Sequence, residues 1–400
     1  LIAHFARRRP ETLDPEVLVV LRLGAYQLLH LARVPASAVV NDAVDLAREA
    51  RKSSASGLVN AVLRAIDRHR DALPLPARPA ASPGGEAAEE WLDYLAVTLS
   101  HPRWLVERWW RRYGASATEQ WLRFNNAESP LTLRANRLRM DRDGLAARLA
   151  AAGVGTTPTR FAPDGLLVTA GNPLRELASD VGSSGAMFIV QDEASQLVGR
   201  MLPVEAGARV LDACASPGGK TTELAGLMGD TGMIVACDLR PARVALLAQT
   251  IARCGVRSAH VVRADLGRPL PFRARFDAVL LDAPCSGLGT LRRDPDVKWR
   301  RREADLQPLA ATELGMLQNV SEAVRPGGHL LYATCSSEPE ENEDVVDAFL
   351  RTRADFARAP AEMPAPRDGA PIVDPLGQLR TLPHVHGLEA FFAALLVRKR

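Results

Sequence analysis

The feature that most constrains the fold of this chain is a repeated alternation of short apolar runs and amphipathic stretches from about residue 186 onward. Continuous apolar strands that alternate with helices are typical of a parallel sheet with both faces covered. The sequence therefore predicts an α/β fold, in which FFAALLVRK (391–399) would form an edge strand. The other strand candidates are RVLDA (209–213), MIVACD (233–238), AHVVRAD (259–265), FDAVLLD (276–282) and HLLYATC (329–335).

The region before this alternation divides into segments of different character. Apolar residues recur at helical spacing in 14–32 and again between 37 and 70, which predicts an all-helical domain. The stretch 72–90 loses this periodicity and collects Pro, Gly and Ala, as linkers do. A helix pattern and strand patterns between 101 and 171 predict a small α+β unit. The predicted segments are a helical domain (1–75), a linker (76–100), a small α+β unit (101–185) and a catalytic domain (186–400).

Composition and charge exclude several classes of protein. Apolar residues make up 47% and charged residues 24% of the 400 residues, which excludes wholesale disorder. A net charge of +3 does not decide whether the partner is a nucleic acid. Five cysteines without a C-x-x-C predict reduced thiols in a cytoplasmic protein, and the lack of an apolar run of ~18 residues predicts no membrane span. We expect a monomer and, because the chain starts at Leu1, a helical domain that is incomplete at its N-terminus.

The carboxyl end of the first predicted strand carries the clearest binding signal. Ligands of open α/β sheets bind outside the carboxyl ends of the strands, where the strand order reverses. There the sequence reads DACASPGGKTT (212–222), in which glycines allow close approach of the backbone and a following helix offers free amides. A phosphate-binding G-x-x-x-x-G-K-[ST] loop would need glycine in place of Cys214, and 214–219 does not fit G-x-G-x-x-G.

Carboxylates at the strand ends indicate which ligand this is. Asp238 follows the glycines by ~20 residues, where a carboxylate typically binds the hydroxyls of a ribose. A cofactor with a ribose but no pyrophosphate fits both observations, which predicts S-adenosylmethionine. Asp265 either accepts from the adenine amine or caps the next turn. Together with Asp212 and Asp282 it forms a series of carboxylates along one rim.

Two cysteines follow the fourth and fifth strands on the same rim. These are Cys285 and Cys335, whereas Cys237 and Cys254 are expected to be small buried residues. C5 of cytosine is a poor nucleophile, but a thiolate that adds at C6 turns the ring into an enamine that accepts a methyl group. One thiol would make this bond and a second group would assist its breakage, and the spacing does not say which thiol attacks. Methylases of exocyclic amines typically carry Asp/Asn-Pro-Pro-aromatic, where this chain has Asp-Ala-Pro-Cys (282–285).

Three long motifs carry a family resemblance. LDACASPGGKTTEL, LLDAPCSGLGTLRRDPDVKW and GGHLLYATCSSEPEEN resemble the cofactor, cytosine-binding and nucleophile motifs of the RsmB (Sun/Fmu) family of RNA 5-methylcytosine methyltransferases. GAYQLLHLARVPASAVVNDAVDLAR resembles that family's NusB-like RNA-binding domain, and MFIVQDEASQLVG resembles its entry into the catalytic domain. The resemblance implies a Rossmann-like S-adenosylmethionine-dependent methyltransferase sheet, a NusB-like helical domain and an RRM-like α+β unit. It also implies rRNA, with 16S rRNA expected, as the substrate.

The resemblance further implies the roles of individual residues. Cys335 would be the nucleophile, Cys285 would assist release, and Asp282 would serve both catalysis and cofactor binding. Ser216 stands where alanine is usual before Pro-Gly-Gly, and as a small residue it leaves the assignment intact. The implied cofactor contacts are Cys214, Ala215, Ser216, Pro217, Gly218, Gly219, Lys220, Asp238, Asp265 and Asp282.

Other patterns and functions have to be weighed against this one. His384 and His386 form an H-x-H without a Cys or acidic partner at metal spacing, so we expect no metal site. A nicotinamide oxidoreductase would leave the two rim thiols unexplained, and a non-catalytic RNA-binding or assembly factor would need only the helical domain. A tRNA or another RNA is the alternative substrate. Basic residues that either contact phosphates or form a solvated helix start are Arg292, Arg293, Lys298, Arg300, Arg301 and Arg302.

Overall fold

The computed structural model describes residues 1–80, 85–176, 185–272, 275–361, 363 and 371–400. Contacts divide the chain into two compact units, Leu1–Ser100 and His101–Arg400. The predicted boundaries of the four segments remain a proposal, and the elements on either side of them are given below.

All regular secondary structure in the described residues of the first unit is helical. Its core lies between the second, third and fourth helices, where Leu21, Val40 and Leu63 are buried. The segment 76–100, predicted as a linker, contains helical turns on which Trp91 and Tyr94 are buried, so it packs instead of running free. The helices are α1 (Ile2–Ala6), α2 (Pro15–His30), α3 (Ala36–Glu49), α4 (Ser56–Arg68) and α5 (Ala88–Asp93), with a π-helical turn at Tyr94–Thr98.

The second unit begins with a small four-stranded antiparallel sheet of order β2-β3-β1-β4. Its last strand lies beyond the predicted boundary at residue 185, because Phe188 and Ile189 pair with β1 and complete the small sheet. The elements are α6 (Arg103–Asn126), β1 (Thr132–Ala135), α7 (Arg142–Ala151), β2 (Gly155–Pro158), β3 (Gly165–Ala170), α8 (Pro173–Glu176) and β4 (Phe188–Val190).

The larger sheet follows, with strands and helices in alternation. Its strands are β5 (Arg209–Asp212), β6 (Met233–Asp238), β7 (Ala259–Arg263), β8 (Phe276–Asp282), β9 (Val324–Thr334), β10 (Phe356–Arg358), β11 (Leu379–Arg380) and β12 (Phe392–Arg398). Its helices are α9 (Glu193–Met201), α10 (Gly219–Leu227), α11 (Pro241–Cys254), α12 (Val297–Arg300), α13 (Leu306–Ser321), α14 (Glu343–Thr352) and α15 (Pro383–His386).

The strand order of this sheet is β10-β12-β9-β8-β5-β6-β7, with β11 also paired to β12. Strands β5 to β9 run parallel, which confirms the predicted α/β fold with a Rossmann-like core. The prediction that 391–399 forms an edge strand is wrong, because β12 lies between β9 and β10 and pairs antiparallel with both. Its residues Phe392 to Leu396 are buried, as an interior strand requires.

Side chains on the large sheet alternate between two cores. Val210 and Ile234 face the core covered by α9, α10 and α11, whereas Leu211 and Val235 face the core covered by α13 and α14. The chain passes from β5 outward to β6 and β7, then returns to place β8 on the other side of β5. The strand order therefore reverses between β5 and β8, and a crevice opens at their carboxyl ends.

Candidate active site

The crevice between β5 and β8 contains most of the residues that the sequence pointed to. A cavity of about 510 Å³ extends from the carboxyl ends of β7 and β6, past those of β5 and β8, to that of β9. A second cavity, of about 440 Å³, adjoins it and also contains Ala215, Pro217 and Gly219. Gly218 packs instead against Leu247 and Thr250 of α11. The predicted residues that line the larger cavity are Cys214, Ser216, Lys220, Asp238, Asp265, Asp282, Cys285 and Cys335.

The loop 214–220 obtains its shape from a glycine and a buried carboxyl group. Gly218 has φ 107° at the start of α10, a conformation that residues with a side chain rarely adopt. Asp212, at the end of β5, accepts a hydrogen bond of 2.6 Å from Thr221 Oγ1 in the first turn of α10. Burial raises the pKa of Asp212 to about 7. Asp212 therefore fixes the helix beside the loop, while the loop residues face the cavities.

Lys220 and Asp282 form an ion pair where the two cavities meet. Lys220 Nζ lies 2.8 Å from Asp282 Oδ2 and also donates to Ser195 Oγ at 3.1 Å. Burial opposes the charge of Lys220, but the Asp282 carboxylate raises its pKa, so the ammonium is retained. The pair presents a fixed positive and a fixed negative charge to both cavities.

The two carboxylates predicted to contact a nucleoside differ in their surroundings. Asp238 Oδ2 accepts from Arg243 Nε at 3.0 Å, and the other guanidinium end of Arg243 holds the carbonyl of Ser216 at 2.6 Å. This arginine thus ties the end of β6 to the loop after β5. Asp265 Oδ1 accepts from the amide of Gly267 at 3.0 Å, so the turn-capping role that the sequence left open is present. Asp265 also lines the cavity.

The two rim thiols lie side by side. Cys285 Sγ and Cys335 Sγ are 3.4 Å apart, within hydrogen-bonding distance for sulfur. Neighbouring parallel strands β8 and β9 bring them together, since Asp282 pairs with Ala333 in the sheet. By contrast, Cys237 and Cys254 are fully buried in the core, as the sequence led us to expect.

The surroundings make the two thiols chemically unequal. The hydrogen bond from Cys285 lowers the pKa of Cys335 against the opposing effect of burial, and the Lys220 ammonium acts in the same direction as that bond. The same hydrogen bond, together with burial and the buried carboxyl groups of Glu341 and Glu313, raises the pKa of Cys285. Cys335 is therefore the thiol that ionises more readily.

A buried carboxylate that the sequence analysis missed connects the loops of the two thiols. Glu341 accepts hydrogen bonds from the amide and hydroxyl of Ser286, each at 2.6 Å, and from the hydroxyl of Ser336. Ser286 follows Cys285 and Ser336 follows Cys335, so one carboxylate fixes both cysteine loops. Glu341 lies within the quoted motif GGHLLYATCSSEPEEN, but no local spacing indicates that it bonds across 55 residues.

A second missed residue reaches the site from the small sheet. Arg134 on β1 is buried and donates to the carbonyl of Gly219 at 2.7 Å and to Thr222 Oγ1 at 2.7 Å. It also donates to Gln191 Oε1 at 2.6 Å and lies 3.2 Å from Glu223 Oε2. The start of α10, which follows the loop 214–220, is therefore held by a residue of the small sheet.

The basic cluster 292–302 divides into side chains that contact protein groups and side chains that are exposed. Arg301 Nε and Nη2 donate to the carbonyls of Ser286 and Cys285, at 2.8 and 3.3 Å, so this side chain supports the thiol loop. Arg292 donates to the carbonyls of Ala127 and Glu128. Arg293 pairs with Asp192 at 2.6 Å, Lys298 is buried, and Arg300 and Arg302 are exposed.

The two histidines of the H-x-H pattern contact other side chains and the backbone of the protein. His384 stacks on Trp121 with ring centroids 5.4 Å apart, and His386 Nδ1 accepts from the amide of Leu382 at 2.9 Å. Within the described residues there is no group of three or more His, Cys, Asp or Glu side chains that could hold a metal ion. The same part of the chain contains no helix with the length and apolar character needed to cross a membrane.

The polar groups of the larger cavity suit S-adenosylmethionine. A carboxylate at the end of β6 can accept from ribose hydroxyls, Asp265 lies where an adenine amine can be bound, and Lys220 and Asp282 can bind the charged methionine end. The Oγ of Ser216, which lines the cavity, is buried without a hydrogen-bond partner among the described residues. Fold and site together define an S-adenosylmethionine-dependent methyltransferase.

Comparisons with known proteins narrow this class to one family. Residues 200–397 match the family described as 16S rRNA methyltransferase RsmB/F, residues 101–175 match a ferredoxin-like domain of RsmF/B-like methyltransferases, and residues 1–68 match the NusB family. This chain belongs to the RsmB/F family of methyltransferases, which confirms the resemblance carried by its motifs.

Individual relatives match over most of the chain. A probable ribosomal RNA small subunit methyltransferase B from Bacillus subtilis (strain 168) is 33% identical over 98% of this chain and 85% of its own length. A protein of the same description from Synechocystis sp. is 35% identical over 96% of this chain and 83% of its own length. Among solved structures, the crystal structure of PH0851 superposes with a TM-score of 0.79 at 28% identity, covering 100% of this chain and 85% of the other.

Proposed function

We propose that this chain forms 5-methylcytosine in small-subunit ribosomal RNA, with 16S rRNA as the substrate, through a covalent bond between Cys335 and C6 of the cytosine. The observation that carries the proposal is the pair of thiols 3.4 Å apart in the cavity that also contains the cofactor carboxylates. Methylation of an amine or a hydroxyl would need neither thiol, whereas methylation at C5 needs a nucleophile at C6. The names of the relatives support the RNA substrate, and such a substrate would place the reaction in the cytoplasm.

Each thiol has a separate task in the proposed reaction. Cys335, whose pKa is lowered by the hydrogen bond from Cys285 and by Lys220, attacks C6 as a thiolate. The pair of electrons displaced from the C5–C6 bond makes C5 nucleophilic. S-adenosylmethionine, when bound, supplies the methyl group that C5 takes up. The C5 proton then passes to solvent with the assistance of Cys285, and the electrons of that C–H bond restore the ring while the C6–sulfur bond breaks and frees Cys335 as a thiolate.

Lys220 and Asp282 complete the proposed site. Their ion pair lies in the cavity that contains both the proposed cofactor contacts and the thiols. The two side chains can therefore orient the base beside the methyl donor. The hydrogen bond from Cys285 is the main influence that lowers the pKa of Cys335, and the Lys220 ammonium adds to it against burial and the Asp282 carboxylate. We therefore retain Asp282 among both the catalytic and the cofactor-binding residues, with Cys214 to Lys220, Asp238 and Asp265 as the other proposed cofactor contacts.

The two thiol variants test the covalent mechanism. Cys285→Ala should accumulate a protein–RNA adduct that survives denaturation, because the bond at C6 still forms but is released slowly. Cys335→Ala should be inactive and should leave RNA unattached. The measurement is denaturing gel electrophoresis after incubation with a labelled, unmodified small-subunit rRNA transcript and S-adenosylmethionine. Cys254→Ala, which removes a thiol from the core, is the matched control and should trap nothing.

The outcomes of this experiment separate the possible errors. An adduct with Cys335→Ala instead would exchange the roles of the two thiols. Full methyl transfer by both variants would rule out covalent catalysis by these cysteines. Bisulfite mapping of rRNA and tRNA from a deletion strain identifies the substrate, since the expected loss of one modified cytosine in 16S rRNA would be contradicted by a loss in tRNA alone.

A further inference from the structure

One aromatic side chain beside the site is exposed to an unusual extent. All six tryptophans lie in the part of the chain that the structure describes, and among them Trp299 alone is exposed, at 58%. Trp91, Trp109 and Trp121 are buried. A large ring exposed to water lacks the burial that stabilises the other tryptophans, which indicates that it binds a partner.

The segment that carries Trp299 is attached to the loop of Cys285. Arg301, two residues further on, donates to the carbonyls of Cys285 and Ser286. Val297 Cγ1 lies 3.8 Å from the point that a Cβ on Gly287 would occupy, so the start of α12 packs on the same loop. Since two residues span at most about 7 Å, Trp299 is confined to the neighbourhood of the thiols.

The chain around Trp299 is basic. Lys298 Nζ lies 6.0 Å from the centre of the tryptophan ring, and burial lowers the pKa of this lysine to about 8. The Arg300 side chain is largely exposed and pairs only with the equally exposed Asp296 among the ion pairs of the described residues. Arg302 is exposed as well. An exposed ion pair is weak in water, so Arg300 is able to exchange Asp296 for a phosphate.

We propose that Trp299 stacks on an unpaired nucleobase that flanks the target cytidine, while Arg300 and Arg302 bind the adjacent phosphates. An aromatic ring between cations is the arrangement with which proteins bind single-stranded nucleic acid. A protein partner fits less well, because a stable protein interface needs roughly 800 Å² on each side and Trp299 is one ring among charged residues. The inference rests on the proposed function and adds that the target lies in an unpaired segment of the RNA, since a stacked duplex base has no free face.

Substitution of Trp299 tests the stacking contact. Trp299→Ala should bind an unmodified small-subunit rRNA transcript about 5- to 150-fold more weakly, whereas Trp299→Phe, which retains an aromatic face, should lose much less. The dependence of log K on log[salt] should keep its slope in Trp299→Ala, because a ring releases no counterions. The slope should fall by about 0.7 in Arg300→Gln. RNA should also quench the fluorescence of the wild type more than that of Trp299→Phe.

Controls separate this inference from the proposed function. Leu376→Ala removes an equally exposed apolar side chain and should bind RNA as the wild type does. Trp299→Ala should bind S-adenosylmethionine normally and should transfer tritiated methyl groups at saturating RNA. Failure of the wild type to label cytosine C5 would overturn the proposed function and this inference with it. Normal labelling by the wild type, together with unchanged RNA affinity or an altered salt slope in Trp299→Ala, would overturn the stacking contact alone.

Discussion

At the residue scale, position on adjacent strands gives two identical functional groups different chemistry. Cys335 has the hydrogen bond of Cys285 and the Lys220 ammonium on its side, and its pKa falls. The same hydrogen bond, burial and the buried carboxyl groups of Glu341 and Glu313 raise the pKa of Cys285. This difference supports the proposed assignment of attack to Cys335, which the spacing of the motifs left open.

Substitution of Asp238 tests its proposed contact with the cofactor. Asp238→Ala should weaken S-adenosylmethionine binding by about 5- to 150-fold, because ribose hydroxyls would lose their acceptor in a partly dry pocket, a loss of roughly 1 to 3 kcal/mol. The measurement is titration calorimetry. Asp143→Ala, which removes an exposed carboxylate on α7, should bind the cofactor as the wild type does. An unchanged affinity in Asp238→Ala would remove this residue from the cofactor site.

Glu341 allows a prediction about pH. The pKa values of Cys285 and Cys335 depend first on the hydrogen bond between the two thiols and on burial. The Glu341 charge in addition raises the pKa of both. Glu341→Gln removes that charge, so the acidic limb of the rate–pH profile should move to lower pH. The loss of a fixed acceptor for Ser286 and Ser336 should reduce kcat by about 10- to 100-fold.

Glu340→Gln is the matched control for this experiment, since Glu340 binds Arg108 and not the two serines. It should keep the pH profile of the wild type. A profile for Glu341→Gln that moves to higher pH, or an unchanged kcat, would contradict the role given to this carboxylate. Thermal unfolding of both variants separates a loss of fold from a loss of alignment.

At the scale of elements, sequence patterns identified the strands well but did not identify which strands pair with one another. Apolar runs at β5, β6 and β8 predicted buried parallel strands, and the residues at their carboxyl ends formed the site. The apolar run at β12 equally predicted a strand, but nothing in it says that β10 covers its outer side. The small sheet ended later than expected because the pairing of β4 with β1 spans more than fifty residues.

Contacts between residues far apart in the sequence also explain which site residues the sequence did not reveal. Cys285, Cys335 and Asp238 lie at positions where the fold class itself places function. Arg134 and Glu341 act through bonds to residues 85 and 55 positions away, and such partners are fixed only by the packing of whole elements. For Arg301 the sequence left phosphate contact and a solvated helix start open, and the side chain does neither in this structure, because it supports the Cys285 loop.

At the scale of the whole molecule, the small and large sheets belong to one compact unit, His101–Arg400. One set of buried polar contacts between them runs through Arg134, which is 3% exposed, and Glu223, whose pKa burial raises to about 7. A buried arginine is costly without partners, and here its partners include the carbonyl of Gly219 at the start of α10. The small sheet is thereby coupled to the loop that is proposed to hold the cofactor.

This coupling can be tested without losing the fold. Removal of Arg134 alone would strand Glu223 in the core and destabilise the protein by about 3 to 5 kcal/mol. The double variant Arg134→Met with Glu223→Gln removes both charges and should therefore unfold near the wild-type temperature. It should nevertheless bind S-adenosylmethionine about tenfold more weakly, because Gly219 and Thr222 lose their donors and the loop 214–220 loosens.

Arg142→Met, on the same small unit but at the surface, is the control and should change neither property. Wild-type cofactor affinity in the double variant would show that the loop holds its shape without the small sheet.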